Sequence, residues 1–374
     1  MHFKPSSNVI EYRALPTKID GRAQDSELSA KVQALINTYN VDVRRLAGNR
    51  DSPKLAEMLD SSIKWTRALK GDLRRGITYT FEPARIINSY YRPFVKRRLY
   101  FSRQLNEMVY RMPQLFGPDA GPNVAFGFAA ESRTEFAAIA FRDLPNKDIF
   151  MPSATQVLAL YRYEDGERKD NVTDWALAGF RKRYRAGGGK EQRSISRDAI
   201  FHYTYAVLHD PVYREKYAVN LKREFPRIPF YADFWQWSDW GRELMELHIG
   251  FESVEPFALR RTDVVDEKAR AAGLSPKAVL KADKPAGVIR IDSETALAGL
   301  PQEAWDYKLG NRSALEWILD QYRETKPRDP TIRARFDTYR LADYKEKVID
   351  LLARVTTVSL RTVAIVEAMR AASR

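Results

Sequence analysis

Three short stretches decide how this chain is read: Ile77-Thr78-Tyr79-Thr80-Phe81, Asn123-Val124-Ala125-Phe126-Gly127-Phe128 and Gln156-Val157-Leu158-Ala159-Leu160-Tyr161. Each is rich in β-branched or aromatic residues and bounded by Gly and Pro, which is the pattern of strands. Together they predict an irregular mixed or antiparallel sheet from Gly76 to about Tyr163. The connections carry Pro83, Pro93, Pro113, Pro118, Pro122, Pro145 and Pro152, a density suited to loops that face a partner. Regular alternation of strand and helix is absent.

Helical patterns flank this region. Residues 8–19 read as extended, and Asp25 and Ser26 offer cap oxygens to a helix whose inner side is Leu28, Val32, Leu35 and Ile36. Pro53 opens an expected second helix to Lys70, with Leu55, Met58, Leu59, Ile63 and Leu69 apolar. From Asn171 onward the spacing predicts helices over 172–184, 197–209 with Ser196 as cap, a restart at Asp210-Pro211, and 234–250. Residues 254–285 read as polar and irregular. A last helix, 342–372, has Val348, Leu352, Val355, Ser359, Thr362, Val366 and Met369 at gaps of four and three; burial and a spacer or docking role are both open. The expected class is α+β, an irregular mixed or antiparallel sheet region followed by a mainly helical C-terminal part. Its expected parts are 1–75, 76–195 and 196–374.

At 374 residues the chain is long enough for two to three units. Its 44% hydrophobic and 30% charged content excludes collagen-like and wholly disordered classes. No apolar run suggests a membrane span or a signal peptide, so no membrane partner is expected. With no Cys, disulfides and thiolate chemistry are excluded, and the cytoplasm is the expected compartment.

The net charge is +13. Residues 61–111 hold 12 basic and 3 acidic side chains, and 181–193 hold 6 and 1, so the remainder is close to neutral. Positive charge confined in this way points to a polyanion, with nucleic acid first.

Motifs for catalysis are missing. Gly187-Gly188-Gly189-Lys190 is followed by Glu191, which fails the phosphate-loop pattern in spacing and in its last residue. There is no Pro-Pro pair of the kind found in adenine methyltransferase loops, no HExxH and no nucleophile elbow. His202 and His209 read as structural. The Glu-Thr-Lys at 324–326 lacks a placed acidic partner. No cofactor is expected.

Binding chemistry is concentrated in Asn88-Ser89-Tyr90-Tyr91-Arg92-Pro93-Phe94-Val95-Lys96-Arg97-Arg98-Leu99-Tyr100-Phe101-Ser102-Arg103. Guanidinium groups engage phosphate or guanine, and Asn pairs with adenine. The alternative is a sheet edge whose charges are only solvated. The 181–193 stretch reads equally as a phosphate-contacting loop or as an exposed loop without function.

Several blocks resemble the C-terminal target-recognition region of type ISP restriction-modification enzymes. They are Tyr91-Arg92-Pro93-Phe94, Arg97, Leu99-Tyr100, the run Asp198 to Arg214, Phe225-Pro226-Arg227-Ile228-Pro229, Gly241 to His248, and Trp305 to Trp317. They stand in order from about Val9 to Met369. The resemblance implies a non-catalytic module that reads double-stranded DNA for adenine methylation and ATP-dependent cleavage by methyltransferase and helicase/nuclease domains of a parent enzyme. Motifs of those domains are absent here, so a C-terminal fragment is expected, or else a separate specificity subunit.

On this reading Lys64, Lys70, Arg74 and Arg75 set register on phosphates. Asn88, Arg92, Lys96, Arg97, Arg98 and Arg103 make mixed phosphate and base contacts, and Arg181, Lys182, Arg183, Arg185, Lys190 and Arg193 add to the footprint. The alternative is a protein-interaction or assembly module with an incidental basic surface.

Overall fold

Leu28, Val32, Ile36, Tyr39 and Val43 fall on one side of the helix Gly21–Arg45, and all are buried. This periodic stripe needs a partner surface, which is supplied by Leu55, Leu69, Leu73, Tyr100 and Leu105. A computed structural model of the chain describes residues 21–106, 109–116, 120–129, 134–151, 154–184, 193–324 and 339–374. The expected extended segment 8–19 lies outside them.

The chain divides into two compact units. The first comprises residues up to 92 with 96–128 and 141–176, and the second comprises 93–95, 129–140 and 177–374.

In the first unit, β1 (Ile86–Arg92) lies between β2 (Val95–Tyr100) and β5 (Leu144–Pro145), while β4 (Ala138–Phe141) belongs mainly to the second unit. The β1–β5 ladder is parallel, with Ser89 opposite Leu144. β3 (Ala125–Ala129) neighbours β6 (Thr155–Ala159), and β7 (Tyr161–Glu164) pairs antiparallel with β8 (Glu167–Asp170). The expected mixed sheet region is therefore present, and two of the three opening stretches form strands.

The third does not. Residues 77–81 form no strand, because their backbone is satisfied by side chains of the first helix. Tyr79 N donates to Asn40 Oδ1 at 2.9 Å, Asn40 Nδ2 donates to Tyr79 O at 2.8 Å, and the Tyr39 hydroxyl donates to Ile77 O at 2.9 Å. The expected helix 53–70 is also broken. Only Leu55–Met58 and Arg67–Arg74 are helical. Between them Asp42 Oδ2 accepts from Asp60 N at 2.7 Å and Trp65 Nε1 donates to Asp60 O at 2.8 Å. These side-chain bonds hold a turn in which a helix would need backbone ones.

The second unit is mainly helical. Helix Arg197–Val207 starts at Ser196, whose Oγ accepts from Ala199 N at 3.1 Å. Asp210 caps the next helix, Pro211–Lys216. Helix Phe234–Ile249 crosses the first so closely that a Cβ on Gly241 would stand 1.8 Å from His202 O. The last helix, Lys345–Arg370, is about 39 Å long at 1.5 Å per residue. Of its predicted seam only Val366 stays partly exposed. Burial, rather than a free spacer, is the outcome.

Residues 254–285 correct the expectation of an irregular excursion. β9 (Arg260–Asp263) and β10 (Ala278–Asp283) join β11 (Val288–Asp292) and β12 (Thr295–Ala298) in an antiparallel sheet ordered β10-β11-β12-β9. The exposure of its outer residues masked the pattern. All four residues of β9 are exposed, so it carries no apolar alternation.

Candidate nucleic-acid interface

β2 alternates buried and half-buried residues, which sends Arg97 inward with Val95 and Leu99 and leaves Lys96 and Arg98 toward the other side. Arg97 is 7% and Arg92 6% exposed. Both guanidinium groups lie over the Tyr91 ring, with Cζ 3.3 Å and 4.1 Å from its centre. Arg92 also donates to Tyr91 O at 2.8 Å and reaches Met151 Sδ at 2.7 Å.

The half-buried cations of the strand are neutralised locally. Lys96 Nζ is 3.2 Å from Asp143 Oδ2. Arg98 grips Asp25 through Nε at 2.7 Å and Nη2 at 3.0 Å, and Nη1 donates to Asn88 Oδ1 at 2.7 Å. Four of the five basic residues proposed here from sequence, and Asn88 with them, thus have partners within the protein. Arg103 differs. It is exposed on a turn that Asn106 holds by accepting from Ser102 N at 2.7 Å.

Elsewhere in this unit Lys64, Arg74 and Arg75 are exposed and Lys70 is half-buried. Thr66 caps the helix Arg67–Arg74 by accepting from Leu69 N at 3.1 Å. Arg74 therefore stands in its last turn, where a cation complements the helix dipole. Arg75 pairs with Asp72.

In the second unit Arg181, Lys182 and Arg183 occupy the last turn of helix Asp174–Tyr184. Arg181 Nε donates to Ile195 O at 3.0 Å, while Lys182 and Arg183 are exposed. Arg193 pairs with Asp239 at 2.8 Å and lies 4.2 Å over the Trp235 ring. Arg185 and Lys190 lie outside the described residues. Further exposed cations, Arg260, Lys281 and Arg290, escaped the sequence reading. The available signal was the alternation of Val288 and Arg290 with buried Ile289 and Ile291.

Two buried histidines of this unit, His209 and His248, are structural. His248 Nδ1 is 2.6 Å from the Tyr205 hydroxyl and Nε2 is 3.0 Å from Thr362 Oγ1, and the ring stacks on Tyr307. Burial, aided by the Arg214 cation, pushes His248 down to about 3. Burial and the same cation hold His209 well below the usual histidine range. Both rings are neutral at pH 7. Among the described residues no group of three or more His, Asp or Glu is placed to hold a metal ion, and no helix is long and apolar enough to cross a membrane.

Comparison with known proteins fits this picture. No curated protein matches the chain. The chain superposes over its whole length on 36% of a chain in a structure described as a cryoEM DrdV-DNA complex, with TM-score 0.86 and 45% identity. It covers 26% of a nuclease-deletion mutant of the Type ISP restriction-modification enzyme LlaGI in complex with a DNA substrate mimic. There the match spans 92% of this chain, with TM-score 0.70 and 25% identity. The fold is also shared with the ATP-dependent Type ISP restriction-modification enzyme LlaBIII bound to DNA, at TM-score 0.73 and 19% identity over 100% of this chain and 23% of that one. The chain thus spans about a third or less of each of these proteins. Residues 22–351 match the family described as the Type ISP C-terminal specificity domain, and the chain belongs to that family.

Proposed function

We propose that this chain reads a short sequence in duplex DNA, performs no chemistry itself, and positions that DNA for methylation and ATP-dependent cleavage by other domains of a parent enzyme. The observation that carries the reading is the full-length match, at 45% identity, to part of a chain solved in a DNA complex. The exposed cations Lys64, Arg74 and Arg103 of the first unit and Lys182 and Arg183 of the second supply the phosphate-contacting chemistry. Arg92, Arg97 and Arg98 act behind the surface, holding Tyr91 and the β1–β2 strands in place. Work on DNA of this kind belongs in the cytoplasm.

The test is equilibrium binding of the purified chain to a labelled random-sequence duplex, followed by anisotropy at 50 and 200 mM salt. Six to ten phosphate contacts predict a loss of roughly a thousand-fold or more across that range. Absence of binding at 50 mM, or binding indifferent to salt, overturns the reading.

A further inference from the structure

The sheet β10-β11-β12-β9 has one closed side and one open side. Ile289, Ile291 and Leu297 are buried, and alternation therefore turns Lys281, Arg290, Arg260 and Thr262 outward, with Asp283, Val288, Ala296 and Ala298 on the same side. The ladder places Lys281 opposite Arg290, Arg290 opposite Ala296 and Ala296 opposite Thr262, while Ala298 faces Arg260. Lys281 and Arg290 are thus like charges directly across adjacent strands, an arrangement that destabilises a sheet by some tenths of a kcal/mol.

The cations around this face are treated differently from those on it. Arg261 pairs with Asp263 and Glu346, Arg270 with Glu294, Lys284 with Glu316 and Lys345 with Asp292, all at 2.5–2.8 Å. Among the described residues Arg260, Lys281 and Arg290 have no ion-pair partner, and all three are exposed. Ala296 and Ala298 between them form a low floor, which lets an extended chain approach the backbone of the sheet. Strands about 4.8 Å apart put Arg260 roughly 12 Å from Arg290. A depression of about 550 Å³ beside Lys281 and Arg290 continues the surface.

We propose that this open sheet face is a second DNA-contacting surface, which takes the phosphate backbone of duplex flanking the target. The proposal rests on the reading that the chain binds DNA, and charge complementarity selects the occupant. The face offers three cations against one carboxylate, Asp283 at its β10 edge, and only Thr262 as a neutral polar side chain, so it is net positive and holds backbone without discriminating bases.

The experiment compares the full chain with Lys281→Glu/Arg290→Glu, and with Lys268→Glu/Lys308→Glu as a control of equal charge change off the face. Affinity for a random-sequence duplex is measured from 50 to 200 mM salt, with thermal unfolding to verify folding. The face variant is expected to lose at least tenfold in affinity at 50 mM and to flatten the log–log salt slope by about 2, as two lost phosphate contacts require. The loss is expected to be equal for unrelated sequences, and the control is expected to stay within about threefold. If the wild-type chain binds and the face variant binds with unchanged slope, the inference falls and the DNA reading stands. An equal loss in the control also overturns it, because net charge then explains the effect. If the wild-type chain does not bind at 50 mM, the DNA reading falls and takes this surface with it.

Discussion

The Arg97 guanidinium carbon sits 3.3 Å from the centre of the Tyr91 ring, and Arg97 is almost wholly buried. A basic residue in a strongly basic segment is thus part of the interior. Arg92 lies over the same ring, so Tyr91 is shared by two cations. Desolvated cation–aromatic contacts of this kind contribute about 2 kcal/mol, and the arginine stems add packing.

Arg97→Ala is therefore expected to lower stability by about 1–3 kcal/mol. Arg103→Ala, on an exposed turn, is expected to stay within about 0.5 kcal/mol of wild type while weakening DNA binding. Urea unfolding and duplex titration of both variants check this pair. Equal stability of the two would remove the structural role of Arg97.

Asp210 is fully buried at the start of helix Pro211–Lys216, where its Oδ1 accepts from Val212 N at 3.0 Å. It also accepts from Arg374 Nη2 at 2.6 Å, Arg374 Nε at 2.9 Å and the Tyr231 hydroxyl at 2.7 Å. Burial and this carboxylate push the Tyr231 hydroxyl up. Arg374→Ala leaves a buried carboxylate without its cation and is expected to cost about 2–4 kcal/mol, reduced from the fully buried case by the partial exposure of Arg374. A double-mutant cycle with Tyr231→Phe is expected to show coupling of about 1 kcal/mol. Strict additivity would sink the network.

His209 and His248 are neutral in the fold because burial depresses both. In the unfolded chain a histidine titrates near 6.5. The unfolded state therefore binds more protons below about pH 6.5, and stability is fully present above that pH and lost as pH falls, for His248 down to about 3. Each histidine contributes a slope of about 1.4 kcal/mol per pH unit in that window. Unfolding free energies between pH 5 and 8 measure this slope, and His248→Gln is expected to reduce it by one proton. An unchanged slope in that variant would contradict the assignment.

Gly241 sits where helices Arg197–Val207 and Phe234–Ile249 cross, and an added Cβ would fall 1.8 Å from His202 O. The obstacle is backbone rather than a flexible side chain, so the helices must move apart. Gly241→Ala is expected to cost about 3 kcal/mol or more. Circular dichroism melting tests it, and an unchanged Tm would mean that the crossing is loose.

Much of the fold was legible because its signals are local. The Ser196 cap, the Asp210-Pro211 restart and the seam Val348, Leu352, Val355, Ser359, Thr362 and Met369 depend on neighbours a few residues away. The strands at 125–129 and 155–159 followed from composition. The stretch 77–81 has the same composition, yet its hydrogen-bond partners are Tyr39 and Asn40, nearly forty positions earlier. A strand needs a neighbouring strand, and the sequence of one segment does not say whether a helix arrives first.

The candidate interface divides in the same way. Charge is additive along the chain, so the sequence by itself determined that positive charge gathers in 61–111 and 181–193. The blocks it shares with type ISP enzymes led to the same family that the match over residues 22–351 shows. Which cations remain available was decided only by tertiary structure. Arg98 is neutralised by Asp25, 73 positions away, and Lys345 is held by Asp292. Arg97 is drawn inside by the strand period, whereas Arg260, Lys281 and Arg290, apart in sequence, meet on one open face. Pairing and burial depend on distances through space, and those distances exist only once the chain has folded.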